Sequence, residues 1–230
     1  MPSNTSQNNS ALFWTGIIAT IGALIVGVGE FTFQYSPRGG YEESGYLFFL
    51  DVSQWRLTFG HFLGVLTAPV YFIGYWHISQ MLRPAGNKLS MAILGLGIYA
   101  FAIGNVWLGG RVNLALVVQA KDKVSGEEQQ LLASILEGIS EHNEPLINIV
   151  RVLVLVISLL MAWGIFSGKS HYPRRMLVVL PIVLLVLIFA SYSLLPSIGG
   201  YLLPAAMNIS HFIFFAASTI VASNLRSTAR

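Results

Sequence analysis

The chain contains no cysteine, and only 10% of its 230 residues are charged. The first absence excludes disulfides, thiol catalysis and cysteine-ligated metals. The second excludes an ordinary soluble surface, since soluble domains carry roughly 25% charged residues. Also missing are a phosphate-cradling glycine-rich loop, an H-E-x-x-H helix, a G-x-S-x-G turn and a lysine deep in an apolar run. No motif demands a cofactor. The net charge of +3 comes from segments flanking the apolar runs, so nucleic-acid binding is not indicated.

What remains is apolar: 54% of the residues are hydrophobic. Six nearly charge-free runs stand out, at 12–33, 57–78, 89–108, 146–166, 176–195 and 201–222. Each matches the ~20 residues that a helix needs to cross ~30 Å of hydrocarbon. Trp14, Trp55, Trp76, Trp107 and Trp163 fall near run ends, where an amphipathic indole settles at a membrane boundary. The pattern predicts an all-α membrane protein, six transmembrane helices in one bundle and one domain over 12–225. Residues 1–11 are polar and lack a basic signal-peptide start, so they are expected as a disordered cytoplasmic tail.

With six spans, both termini share one side with the connections after spans two and four. That side holds Arg83, Lys88, Lys169, Arg174, Arg175, Arg226 and Arg230 and no acid. The other side holds Arg38, Arg56, Lys121 and Lys123, together with acids that include Glu42, Glu43, Asp51, Asp122 and Glu144. Positive charge marks the cytoplasmic face, which predicts a multi-pass cell-membrane protein with both termini cytoplasmic and the acidic loops outside. In the outer loop before span four, Ser125 and Glu128 have capping-box spacing, and Leu131, Leu132, Ile135, Leu136 and Ile139 share a helical face. This predicts an extra amphipathic helix between spans three and four, packed over the outer mouth of the bundle.

Polar groups inside spans are costly to bury and mark candidate sites. Depth follows from position at ~1.5 Å per residue. On that scale Glu30, His61, Asn105, Asn148, Arg151, Tyr192, Asn208 and His211 all fall in the outer half, and His77 alone lies near the inner boundary. His61 shares a helical face with Gly64, Ala68, Tyr71 and Tyr75, while Asn208 and His211 share one with Pro204 and Ser218. Small residues mark the faces where membrane helices approach, so these polar groups are expected to point into the bundle. Together they predict one polar chamber, opening outward.

Each candidate also has a plainer reading. His61, His211 and the asparagines can fasten helices without chemistry, and Glu144, just ahead of Pro145, can cap span four. Arg56 and Arg111 lie near boundaries and can snorkel to the interface. Arg151, two turns into span four, needs a partner, for which Glu144 and Glu30 are the obvious choices.

The stretches "WRLTFGHFLGVLTAPVYFIGYWH", "YPRRM" and "NISHFIFFAAS" resemble a family of uncharacterised six-span bacterial integral membrane proteins with a G-H-x-x-G…P-x-Y-x-x-G-Y-W-H span. The resemblance implies a six-helix membrane fold and no activity.

Three readings of the chamber follow. In the first it binds or transports a small amphipathic or lipid-like molecule, through His61, Tyr71, Asn105, Asn148, Arg151, Tyr192, Asn208 and His211. In the second the protein is a lipid-modifying enzyme, with His61, His211 and Glu30 as acid–base residues or metal ligands. In the third His61 and His211 ligate haem. Membrane lipid is the expected partner, and nothing in the sequence sets the oligomeric state.

Overall fold

The computed structural model describes residues 4–39, 41 and 45–228. Glu42, Glu43 and Arg230, counted above for orientation, lie outside the described residues. Among those described there is no strand. Eight α-helices follow one another: α1 (Asn4–Gln34), α2 (Gln54–Thr67), α3 (Val70–Leu82), α4 (Asn87–Lys121), α5 (Glu127–Phe166), α6 (Pro181–Leu194), α7 (Pro196–Leu202) and α8 (Ala206–Thr228).

Five helical stretches are long and apolar enough to cross a membrane: Asn9–Gln34, Gln54–Ala85, Asn87–Lys121, Glu127–Phe166 and Pro196–Ser227. The expected run 176–195 is built differently. A 3-10 turn (Arg174–Val179) precedes α6, and Pro181 sits at the start of that helix. The 14 residues of α6 cover about 21 Å, less than ~30 Å of hydrocarbon. The outer surface is apolar, as lipid requires: Leu66, Val106, Leu159 and Ile220 are each more than half exposed.

Two sequence expectations are corrected. The amphipathic segment after Gly126 does not fold back as a separate helix. It forms the first turns of α5, which runs unbroken for 40 residues with Pro145 inside it. One internal proline removes a single backbone hydrogen bond, while the Glu, Gln, Leu and Ala residues before it favour continued helix. Gly126 takes the N-cap position, not Ser125, and Leu131 is 61% exposed. At the chain start, α1 begins at Asn4, so most of the segment expected as a disordered tail is helical. Extending an existing helix gains one bond per residue fixed, and the Asn9 side chain donates to the Leu225 carbonyl at 3.0 Å.

Proline also shapes the run 57–78. Pro69 has no N–H to donate, and the chain bends there between α2 and α3. Pro204 does the same within a 3-10 turn between α7 and α8.

Helix α1 lies against α2, α3 and α8, and α4 runs along α5. Helices α1 and α2 approach closely: a Cβ on Gly29 would lie 2.6 Å from the Gly64 nitrogen and 2.9 Å from the Gly60 carbonyl oxygen. Glycine here lets two backbones touch, the small-residue packing of membrane helices. At the other end of α1 a polar cluster is closed inside the bundle. His77 lies 2.6 Å from the Ser218 hydroxyl, which lies 2.8 Å from that of Tyr172.

Candidate functional site

Where α1 ends, α3, α4, α5 and α8 bring polar side chains together. Glu30, 5% exposed, accepts from Gln34 one turn later at 2.8 Å and from the Asn208 amide of α8. The Asn208 carbonyl in turn accepts the Tyr71 hydroxyl at 2.6 Å. A hydrogen-bonded chain thus runs from α3 through α8 to α1. It satisfies both Glu30 oxygens, as burial of a carboxylate requires.

The second centre is Arg111 on α4. Its Nη1 donates to Glu144 of α5 at 2.6 Å. The same carboxylate oxygen accepts the Tyr46 hydroxyl at 3.0 Å, and the hydroxyls of Tyr46 and Ser140 are hydrogen-bonded to each other. The guanidinium lies among four rings, 5.1 Å from Trp107, 5.2 Å from Tyr46, 5.4 Å from Phe49 and 5.9 Å from Phe48. Such contacts favour a cation removed from water. Burial pushes the phenols of Tyr41 and Tyr46, in the loop after α1, above their ordinary value, so both remain hydroxyl donors at neutral pH.

Between these centres lies a cavity of about 500 Å³. Charged or polar Glu30, Gln34, Arg111, Ser140 and Glu144 line it. The lining also includes apolar Ile147, Leu185, Phe189 and Met207, together with the exposed Arg151. Ser140, Glu144, Ile147 and Arg151 repeat at helical spacing, so one face of α5 forms a wall about 16 Å long. A smaller cavity of about 40 Å³ adjoins it, lined by Glu30, Tyr71, Asn105, Trp107 and Asn208 among others. That space is enough for a water molecule. The buried Asn105 Oδ1 and Trp107 Nε1 have no hydrogen-bond partner among the described residues.

The residues singled out from the sequence divide accordingly. Glu30 and Arg151 line the larger cavity, and Tyr71, Asn105 and Asn208 the smaller one. Asn148 lies outside both and accepts from Arg151 at 3.0 Å. Tyr192 is not among the lining residues of either cavity and stands edge-on to Tyr41, with ring centroids 6.4 Å apart. His211 is fully buried, with Nδ1 2.8 Å from the Met207 carbonyl and Nε2 3.0 Å from the Tyr75 hydroxyl. A carbonyl only accepts, so Nδ1 carries the hydrogen and Nε2 receives Tyr75; neither nitrogen is left for a ligand. His61 lines neither cavity. It is half-buried beside Phe62, and its Nδ1 has no hydrogen-bond partner among the described residues. Among the described residues no three His, Asp or Glu side chains gather as a metal site, so Glu30, His61 and His211 are not brought together.

The arginines exchange the roles expected of them. Arg111, expected to snorkel, is 6% exposed and takes Glu144 as its partner. Arg151 is exposed, donates to Asn148, and has no carboxylate partner among the described residues. Sequence reasoning also passed over Trp107, Tyr46, Gln34 and Ser140. A signal for Arg111 was present: Leu108, Arg111, Leu114, Ala115 and Val118 fall on one helical stripe, and all are buried.

The fold defines the class: an all-helical protein whose apolar helices are those of a multi-pass membrane protein. The chain belongs to a family of unknown function, DUF6796, whose model matches residues 6–224. No curated protein and no solved structure matches it.

Proposed function

We propose that the protein binds a small amphipathic or lipid-like molecule in the cavity between α1, α4, α5, α6 and α8, and presents or transports it across the membrane. The observation that carries this reading is that one cavity is lined by both charged or polar and apolar side chains. Its volume lies within the ~300–1,000 Å³ of small-molecule sites. The buried donors and acceptors fix orientation, and the apolar side chains accept hydrocarbon. In this reading α6 with the 3-10 turn before it forms a sixth, composite span. The termini are then cytoplasmic, and the cavity opens outward, as the excess of Lys and Arg on the terminal side supports.

Native mass spectrometry of protein extracted in mild detergent tests the reading. The wild type is expected to carry a discrete extra mass or to take up added oleate or oleamide. Leu203→Trp, which fills the cavity from its lining, is expected to lose both. Bare protein that takes up neither amphipath, or equal uptake by the variant, overturns the proposal.

A further inference from the structure

The cavity's charges do not cancel in pairs. Arg111 and Glu144 neutralise each other at 2.6 Å. Glu30 is held by two amides, and among the described residues no cation lies within ion-pair distance of it. That leaves Arg151, which lines the cavity on α5 yet is exposed and has no carboxylate partner among the described residues. It sits within the apolar span of α5, facing Phe189 on α6, with its guanidinium 5.9 Å from that ring. The side chain bends back one turn along α5 to reach Asn148 through Nη1. Its Nε–Nη2 edge makes no hydrogen bond to a described residue. That edge is the fork that matches a carboxylate or phosphate with two parallel bonds.

An uncompensated guanidinium within hydrocarbon is expensive, and an anion removes most of the cost. The surroundings indicate which anion. On either side of Arg151 the exposed surfaces of α5 and α6 are hydrocarbon-like, with Val152, Leu155, Val186 and Phe189 all more than a third exposed. Ile147, Val150 and Val154 of α5 pack with Leu185 and Ile188 of α6 in a buried apolar cluster, and the exposed Arg151 stands beside this seam. Beside Arg151 a free aqueous anion meets only apolar surface, whereas a lipid brings its own tail.

We propose that Arg151 is the head-group residue of this site. It receives the carboxylate or phosphate of a single-chain anionic lipid that enters sideways between α5 and α6, its head in the cavity and its tail remaining in the bilayer. This rests on the binding reading above and adds the ligand's charge, its direction of entry and the residue that selects it.

The test is a titration of detergent-purified full-length protein with oleate, oleamide and inorganic phosphate. Occupancy is read by native mass spectrometry for wild type, Arg151→Gln and Arg151→Lys. Arg151 is exposed, so the variants are expected to keep the wild-type melting temperature. Wild type is expected to bind oleate, and Arg151→Gln to bind it at least about tenfold more weakly, the effect of losing charge-assisted hydrogen bonds. Arg151→Lys should fall between the two, because it keeps the charge and loses the fork. Oleamide should bind alike to all three. Equal oleate affinity in Arg151→Gln and wild type, with Leu203→Trp still abolishing uptake, overturns the role of Arg151 and leaves the cavity reading standing. Displacement of oleate by phosphate at comparable concentration overturns the lipid source in favour of a free anion. If neither oleate nor oleamide binds, the cavity reading falls, and this inference with it.

Discussion

Arg111 and Glu144 meet at 2.6 Å across α4 and α5, but they are not equally buried: the arginine side chain is 7% exposed and the glutamate 37%. Water can therefore reach one partner and hardly the other. The asymmetry decides what each substitution leaves behind.

Glu144→Gln strands a guanidinium that water cannot reach, whereas Arg111→Met strands a carboxylate that it can. Breaking a buried pair costs about 3–5 kcal/mol, so Glu144→Gln should approach that range and Arg111→Met should cost less. Melting temperatures in detergent check the order. The double variant should melt above Glu144→Gln alone, and a melting point at or below it would contradict the pairing.

Gly29 and Gly95 give a paired test of the helix packing. A methyl group on Gly29 meets the backbone of α2, which cannot move aside as a side chain would, and one on Gly95 meets nothing within 4 Å. Gly29→Ala should destabilise by about 1–3 kcal/mol through overpacking. Gly95→Ala should be neutral or stabilise by roughly 0.5–1 kcal/mol, because alanine suits a helix interior better. The readout is thermal unfolding of each variant beside the wild type.

Tyr46 supplies a pH dependence. Its folded value is raised above 10.0, first by burial. As pH rises past the unfolded value, the unfolded chain loses this proton while the folded protein still holds it. Stability therefore falls with rising pH until the folded phenol ionises as well. Tyr46→Phe should flatten that part of the alkaline decline, measured as melting temperature against pH from neutrality upward.

Because the chain has no cysteine, a single introduced thiol reports its own side of the membrane. Lys123→Cys, between α4 and α5, should react in intact cells with a maleimide that cannot cross membranes. Lys88→Cys, after α3, should react only once the cells are opened. The reverse pattern would invert the proposed orientation.

Five of the six expected spans were legible, because the bilayer imposes one length and one polarity on any helix that crosses it; the run 176–195 holds only the shorter α6. Turn chemistry was less so, since Pro145 leaves α5 continuous while Pro69 and Pro204 each mark a bend. Glu30, Tyr71, Asn105, Arg151 and Asn208 could be placed by depth and helical face, and all five line a cavity. Arg111 was misjudged because position relative to a span end does not reveal the four rings that fold over it from a loop and its own helix. His61 shows the limit from the other side: sharing a face with small residues does not say which neighbour that face meets.

Helix α5, at 40 residues, is about 60 Å long and so twice the thickness of the hydrocarbon it crosses. Its first half, ahead of Pro145, does not stand free: Leu136 and Asn143 are buried there, and Asn143 donates to the Trp107 carbonyl of α4 at 3.1 Å. Pro145, beside Glu144, lacks the backbone N–H that would tie that turn together. The bond between Glu144 and Arg111 therefore fastens α5 to α4 at the turn where the helix's own hydrogen bonding is thinnest.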